Sequence, residues 1–173
     1  MGLARAPQTV LDNCTFVGNS GRYGGAIYIR SSCSPTLTGC CFEGNTASHS
    51  GGALHIEQHC DPVLRHCTLT GNSAPIGGAV DVSIECSPTF EYCTFAENSC
   101  TYTGVISIYE YCLLRFDSSI IGFSLTGPAI SCFDGTVALS CCDIYGNEGG
   151  DWVGYVSDQF GVSGNISQDP LFC

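Results

Sequence analysis

Phe42-Glu-Gly-Asn45, followed by Gly51-Gly-Ala-Leu54, decides the fold, because this pair of short motifs returns along the chain. Upstream stand Phe16-Val-Gly-Asn19 and Gly24-Gly-Ala-Ile27. Downstream come Leu69-Thr-Gly-Asn72 with Gly77-Gly-Ala-Val80, then Phe95-Ala-Glu-Asn98 with Thr103-Gly-Val-Ile106. The period is about 26 residues. Self-similarity at a fixed short period predicts a solenoid, a stack of near-identical coils. In such a stack a catalytic site has to be an interruption of the pattern.

Placing the periods in register gives each position a column. Leu11, Leu37, Leu64, Phe90, Phe116 and Leu139 form one apolar column; Phe16, Phe42, Leu69, Phe95, Ile121 and Ile144 form another. After the glycine pair, Ile27, Leu54, Val80, Ile106 and Ile29, Ile56, Val82, Ile108 are apolar. Tyr28, His55, Asp81 and Ser107 stand between them. Such alternation predicts strands with one face in a core and one in water, at least two per coil, and no window has helical periodicity. Asn19, Asn45, Asn72, Asn98 and Asn147 recur at one turn, where stacked amides can form a hydrogen-bonded ladder. Pro35, Pro62 and Pro88 mark a second corner, at which the first coil has Thr9 and keeps its Pro7 two residues earlier. Six coils at about 4.8 Å each predict a rod roughly 30 Å long. Its end edges stay open unless covered.

The tandem Phe-x-x-Asn and Gly-Gly-Ala-(Ile/Leu/Val) motifs resemble the repeat of polymorphic outer-membrane proteins. More broadly they resemble right-handed parallel β-helix proteins of the pectin-lyase-like group. The resemblance covers residues 9 to 108 closely and 109 to 147 loosely, and Asp169-Pro-Leu-Phe172 is similar to the terminal segments of bacterial surface β-helix repeats. It implies an all-β right-handed parallel β-helix of about six coils, and a secreted or cell-surface protein, often adhesive. It does not imply catalysis, because one fold carries many functions. The expected organisation is a single domain, 1–173, with coils over 9–147 and an irregular cap or tail over 148–173. Coils five and six depart from the pattern, with Ser119 in a cysteine column and Gly127-Pro128 in place of the glycine pair. Trp152, Tyr155 and Phe160 read as a cap over the last coil; the alternative is that Trp152 and Tyr155 form an aromatic ligand platform.

Charged residues make up 12% of the chain and lysine is absent; the formal net charge is −11. An acidic surface repels phosphate backbones, so no nucleic-acid partner is expected. No stretch has the length and hydropathy of a membrane span. Fourteen cysteines occur without any Cys-x-x-Cys pair, which points to an oxidising, extracytoplasmic compartment rather than to zinc. Met1 to Val10 holds no apolar run, so a mature product or a piece of a longer protein is expected. Most thiols fall in two columns: Cys14, Cys40, Cys67, Cys93 with Cys142, and Cys33, Cys60, Cys86, Cys112 with Cys132 roughly following. Three arrangements are open: bonds within a coil (Cys33–Cys40, Cys60–Cys67, Cys86–Cys93), bonds between coils within a column, or an unbonded stack of buried thiols. Cys41, Cys100, Cys141 and Cys173 lie outside both columns, and Cys173 would tie down the tail or pair with another molecule.

Glycoside hydrolysis needs two carboxylates close together. Glu91 and Asp117 are the best stacked pair, with Arg65 beside them in the row Asp12, Thr38, Arg65, Glu91, Asp117; a solvated face with an Arg–Glu pair is the plainer reading of the same residues. A second mixed patch holds Tyr28, His55, Asp81, Arg30 and Glu57, where His55 above Asp81 suits a base and its orienter, with no aligned nucleophile. The arginines do not cluster as β-elimination of uronates would want. Glu148 and Asp151, in Asn147-Glu148-Gly-Gly-Asp151, are the candidate ligands for a structural calcium ion. No other cofactor is expected. Asn13-Cys-Thr15 and Asn165-Ile-Ser167 match the glycosylation pattern. The leading expectation is a non-catalytic structural or adhesive β-helix whose open edges allow end-to-end homo-oligomers or filaments, and whose partner is a glycan or another cell-surface ligand. The alternatives are a carbohydrate-active enzyme, lyase or hydrolase, and a carbohydrate-binding module using Tyr28, His55, Tyr92 and Tyr109.

Overall fold

The computed structural model describes residues 9–172; Arg5, Pro7 and Cys173 lie outside that range. The chain winds as a parallel β-solenoid, with short strands separated by tight corners and equivalent strands stacked into four sheets. The first sheet stacks Val10–Asp12, Thr36–Thr38, Val63–Arg65, Thr89–Glu91, Leu113–Asp117 and Thr136–Ser140. The second stacks Thr15–Val17, Cys41–Glu43, Thr68–Thr70, Thr94–Ala96, Ile120–Gly122 and Asp143–Tyr145. A third holds Ser20–Tyr23, Thr46–Ser50, Ser73–Ala74 and Ser99–Cys100. The fourth holds Ile27–Ile29, Leu54–Glu57, Val80–Ser83, Ile106–Ile108 and Ile130–Cys132. Six strands in each of the first two sheets enclose five full turns.

The columns read from the sequence are the registers of these sheets. Leu37 pairs with Leu11 and Leu64, and Phe90 with Leu64 and Phe116. Phe42 lies between Phe16 and Leu69. The aromatic members stack face to face, Phe16 on Phe42 and Phe90 on Phe116, each with ring centroids 4.9 Å apart. Leu37, Phe42, Leu64, Leu69, Phe90 and Phe95 are wholly buried. Burial of one such side chain stabilises by about 1.5–3 kcal/mol, and only the stack provides it.

The asparagine ladder forms as expected. Asn45 Oδ1 accepts both the backbone N–H and the side-chain amide of Asn19, each at 3.0 Å. Asn72 does the same for Asn45, and Asn98 for Asn72. Asn45, Asn72 and Asn98 also each donate inward to a carbonyl of the preceding coil, as Asn72 does to Phe42. Asn45, Asn72 and Asn98 are buried, so at their corners the ladder satisfies groups that would otherwise be orphaned, whereas Asn19 in the first coil is exposed.

The third sheet escaped the pattern, because Ser-Gly-Arg-Tyr and Thr-Ala-Ser-His-Ser carry no apolar alternation. It packs close to the fourth sheet, and the glycine pairs make that approach possible. Gly51 sits at φ +67, a left-handed angle suited to glycine. Gly52 has a different duty: a Cβ there would lie 2.0 Å from the carbonyl oxygen of Gly78 in the next coil.

The thirteen described cysteines are free thiols. Cys33 and Cys40, Cys60 and Cys67, and Cys86 and Cys93 are not bridged, so the within-coil pairing is not what the structure contains. The thiols stack along the rod instead, and most are buried beside the aliphatic columns. Ser119 replaces a thiol in its column and accepts the Cys93 N–H at 3.0 Å. Cys132 corrects the expected assignment: it pairs with Ile108 in the fourth sheet, continuing the Ile29 column. Leu113 pairs with Thr136, so Gly135 lies over Cys112.

A 3₁₀ helix, Gly154–Gln159, closes the far end of the stack. Val156, 1% exposed, is its plug, and Trp152 packs half-buried against the core with its indole N–H donating to Ile166 O. Gln159 bonds the last edge strand twice, accepting from Leu139 N and donating to Val137 O. Tyr155 and Phe160, expected in the cap, are largely exposed. Asn165 is buried and donates to Leu139 O and Gln159 O, so the acceptor amide of the second glycosylation tripeptide is enclosed in the fold. Asn13 is exposed. Head-to-tail stacking needs two open edges, and this segment covers one of them.

Candidate functional site

Two rows of polar side chains face outward, and the fold treats them differently. On the first sheet Arg65 pairs with Glu91 and Glu91 with Asp117, so the sequence-derived trio is brought together in register. Arg65 donates from Nε to Glu91 Oε2 at 2.7 Å and from Nη2 to Oε1 at 3.3 Å. That carboxylate raises the arginine further above its ordinary value. Beside the trio lies a shallow cavity of about 250 Å³, lined among others by Thr89, Glu91, Arg115, Asp117, Ala138 and Ser140. Tyr92 follows Glu91 at the corner, is exposed, and stacks flat on His66 with centroids 5.1 Å apart.

On the fourth sheet His55 lies between Tyr28 and Asp81 in register. Here the third sheet folds over the row. His55 Nδ1 meets Asp81 Oδ2 at 2.9 Å and Ser50 Oγ at 3.0 Å, while Nε2 faces Glu57 Oε2 at 3.4 Å. The Tyr28 hydroxyl donates to Glu57 Oε1, and burial followed by that carboxylate holds the phenol above its ordinary value. Tyr23 and Tyr28 pack their rings on His55 at 5.2 and 5.0 Å. Arg30 lies over Tyr28, so all five residues of the expected patch belong to one cluster. Tyr109 lies toward Asp81; burial first, and then the carboxylate charge, raise its hydroxyl.

Ser50 is the nucleophile type that sequence reasoning did not find. It arrives from the third sheet, in the column of Tyr23, and its only sequence mark is its place before Gly51-Gly52. The geometry still does not make an acyl-transfer relay. In such a relay the nucleophile and the acid take opposite ring nitrogens; here Ser50 and Asp81 share Nδ1. Ser50 is 1% exposed, and His55 and Asp81 are 4% exposed each, so no substrate reaches the hydroxyl. The cluster is a buried polar network that joins two sheets, with Asp81 Oδ1 left unpaired.

Among the described residues no group of three or more His, Cys, Asp or Glu side chains is arranged so that it could hold a metal ion. Glu148 is exposed. Asp151 closes the amide ladder: its Oδ1 accepts the backbone N–H and the side-chain amide of Asn147, both at 2.8 Å, and its Oδ2 accepts Gly146 N–H.

A right-handed, all-parallel stack with amide and aliphatic columns defines a class of protein. Residues 3–167 match the family described as right handed beta helix region, and the chain belongs to that family. No curated protein and no solved structure matches it. The match is to the family as a whole and does not reach the narrower likeness to polymorphic outer-membrane proteins. Membership is consistent with a surface or carbohydrate-related protein. No helix among the described residues is long and apolar enough to cross a membrane.

Proposed function

We propose that the protein is a non-catalytic, extracytoplasmic β-helix with a structural and adhesive role, and that its contact face is the outer row of the first sheet. One observation carries this reading: Glu91 lines a 250 Å³ hollow together with Thr89, Arg115 and Asp117, and the next residue in the chain, Tyr92, is exposed and stacked on His66. Glycan sites combine a flat aromatic or apolar surface with a few placed polar groups. The test is a glycan array run together with a cell-binding assay. Wild type should bind, and Tyr92→Ala and Glu91→Gln should each weaken binding at least tenfold. Blank arrays and no cell binding would end the adhesive reading.

A second reading, a carbohydrate-active enzyme, is favoured by Glu91 and Asp117 lying in register at that hollow. Strand spacing places their Cα atoms about 4.8 Å apart, compatible with paired-carboxylate chemistry. Against it stands Arg65, which already occupies Glu91. Wild type that cleaves nothing in a polysaccharide panel removes it; activity lost in Glu91→Gln and Asp117→Asn establishes it.

A further inference from the structure

The row Cys33, Cys60, Cys86, Cys112 has a direction. Cys33 N–H donates to Cys60 Sγ at 3.2 Å, Cys60 N–H to Cys86 Sγ at 3.1 Å, and Cys86 N–H to Cys112 Sγ at 3.2 Å. Each sulfur therefore leans toward the preceding coil and rests against the backbone of the cysteine stacked on it. Stacked positions have Cα atoms about 4.8 Å apart, inside the range a disulfide accepts. Within this row Cys60, Cys86 and Cys112 are buried, whereas Cys33 is exposed. The row thus presents one exposed thiol, Cys33, whose backbone N–H is in contact with the sulfur of Cys60 in the next coil.

We propose that Cys33 and Cys60 form a thiol–disulfide exchange site that accepts low-molecular-weight disulfides at Cys33. In the first step the Cys33 thiolate attacks one sulfur of the small disulfide. A mixed disulfide forms and one small thiolate leaves. In the second step Cys60 loses its proton and its sulfur attacks Cys33 Sγ, which expels the second small thiolate. Two protein thiols are oxidised, one small disulfide is reduced to two thiols, and Cys33–Cys60 is the product. The bond joins two coils rather than closing one, so it locks the first turn onto the second.

Order of reaction follows from environment. Thiolates, not thiols, are the nucleophiles. Burial pushes the Cys60 thiol up to about 11, with the Cys33 N–H pulling the other way. Closure therefore quickens as pH rises toward that value, because more Cys60 is thiolate. Capture at Cys33 does not share this burial.

The experiment treats the native full chain with oxidised glutathione and maps the products by mass spectrometry under non-reducing conditions. Peptide mapping separates Cys33 from Cys141, which is exposed as well. The expected result is a Cys33–Cys60 cross-link with no glutathione retained at Cys33, forming faster at higher pH. Cys60→Ala should retain glutathione on Cys33, and Cys33→Ser should give no cross-link to Cys60. A Cys33–Cys40 cross-link, stable glutathione on Cys33 of wild type, or no reaction at Cys33 would each overturn the proposal. If Cys60→Ala fails to fold, the wild-type map alone decides.

Discussion

The outer rows of the first and fourth sheets look alike in sequence and differ in the molecule. Both mix acids with a basic group at stacked positions. On the first sheet the Arg65–Glu91 pair stays in water, its side chains 43% and 28% exposed. On the fourth, His55 and Asp81 are sealed by the third sheet, with side chains 5% and 6% exposed. A third layer, not the residues themselves, decides which row can meet a ligand and which one ties sheets together. The glycine pair permits that layer to approach.

The most damaging way to break the comparison is Gly52→Ala. The new Cβ would sit 2.0 Å from Gly78 O and 2.6 Å from Ser73 N, both backbone atoms that cannot turn aside. We expect a loss of more than about 4 kcal/mol, the exceptional range for one substitution, read from the urea midpoint. Gly44→Ala is the control: its φ is +60, yet nothing lies within 4 Å of the added carbon. Its cost should be near 1 kcal/mol, the price of the backbone angle alone. Equal losses at the two glycines would show that close packing of the third sheet is not what Gly52 protects.

His55→Leu comes next. It leaves Asp81 buried without its partner, a change worth about 3–5 kcal/mol. Arg65→Ala, on the open row, should leave the denaturation midpoint within scatter, as exposed pairs do. A similar effect at both positions would erase the distinction between the rows.

The parts of this contrast that could be read from the sequence are those that repeat. Leu37, Phe42 and Asn45 lie in columns because each coil solves the same burial problem in the same way. The row Arg65, Glu91, Asp117 followed from that register. The third sheet was invisible because Ser20–Tyr23 and Thr46–Ser50 have no two-residue alternation; their pairing is carried by backbone groups and by glycine. Ser50 was missed for that reason. Cys132 was misplaced because a shortened coil shifts the count, and only the pairing of Ile108 with Cys132 fixes it. The cap announced itself by loss of pattern, but Val156 and Gln159 have no repeat partner to give them away.

The smallest effect tests whether the repeat also sets backbone strain. Gly18, Gly44 and Gly71 occupy one corner at φ near +60, and the fourth coil puts Glu97 there at φ 56. Phe123 follows at φ 53 before Gly146 restores glycine. A side chain in the left-handed region costs about 1–2 kcal/mol. Glycine would remove that strain and give back part of it through a more flexible unfolded chain. Glu97→Gly should therefore stabilise by somewhat under about 1 kcal/mol, seen as a small rise in the denaturation midpoint. Glu97 is exposed at this corner, so no packing is lost to mask the gain. A fall in stability would mean that the glycines of this column are held there by something other than the corner's dihedral angle.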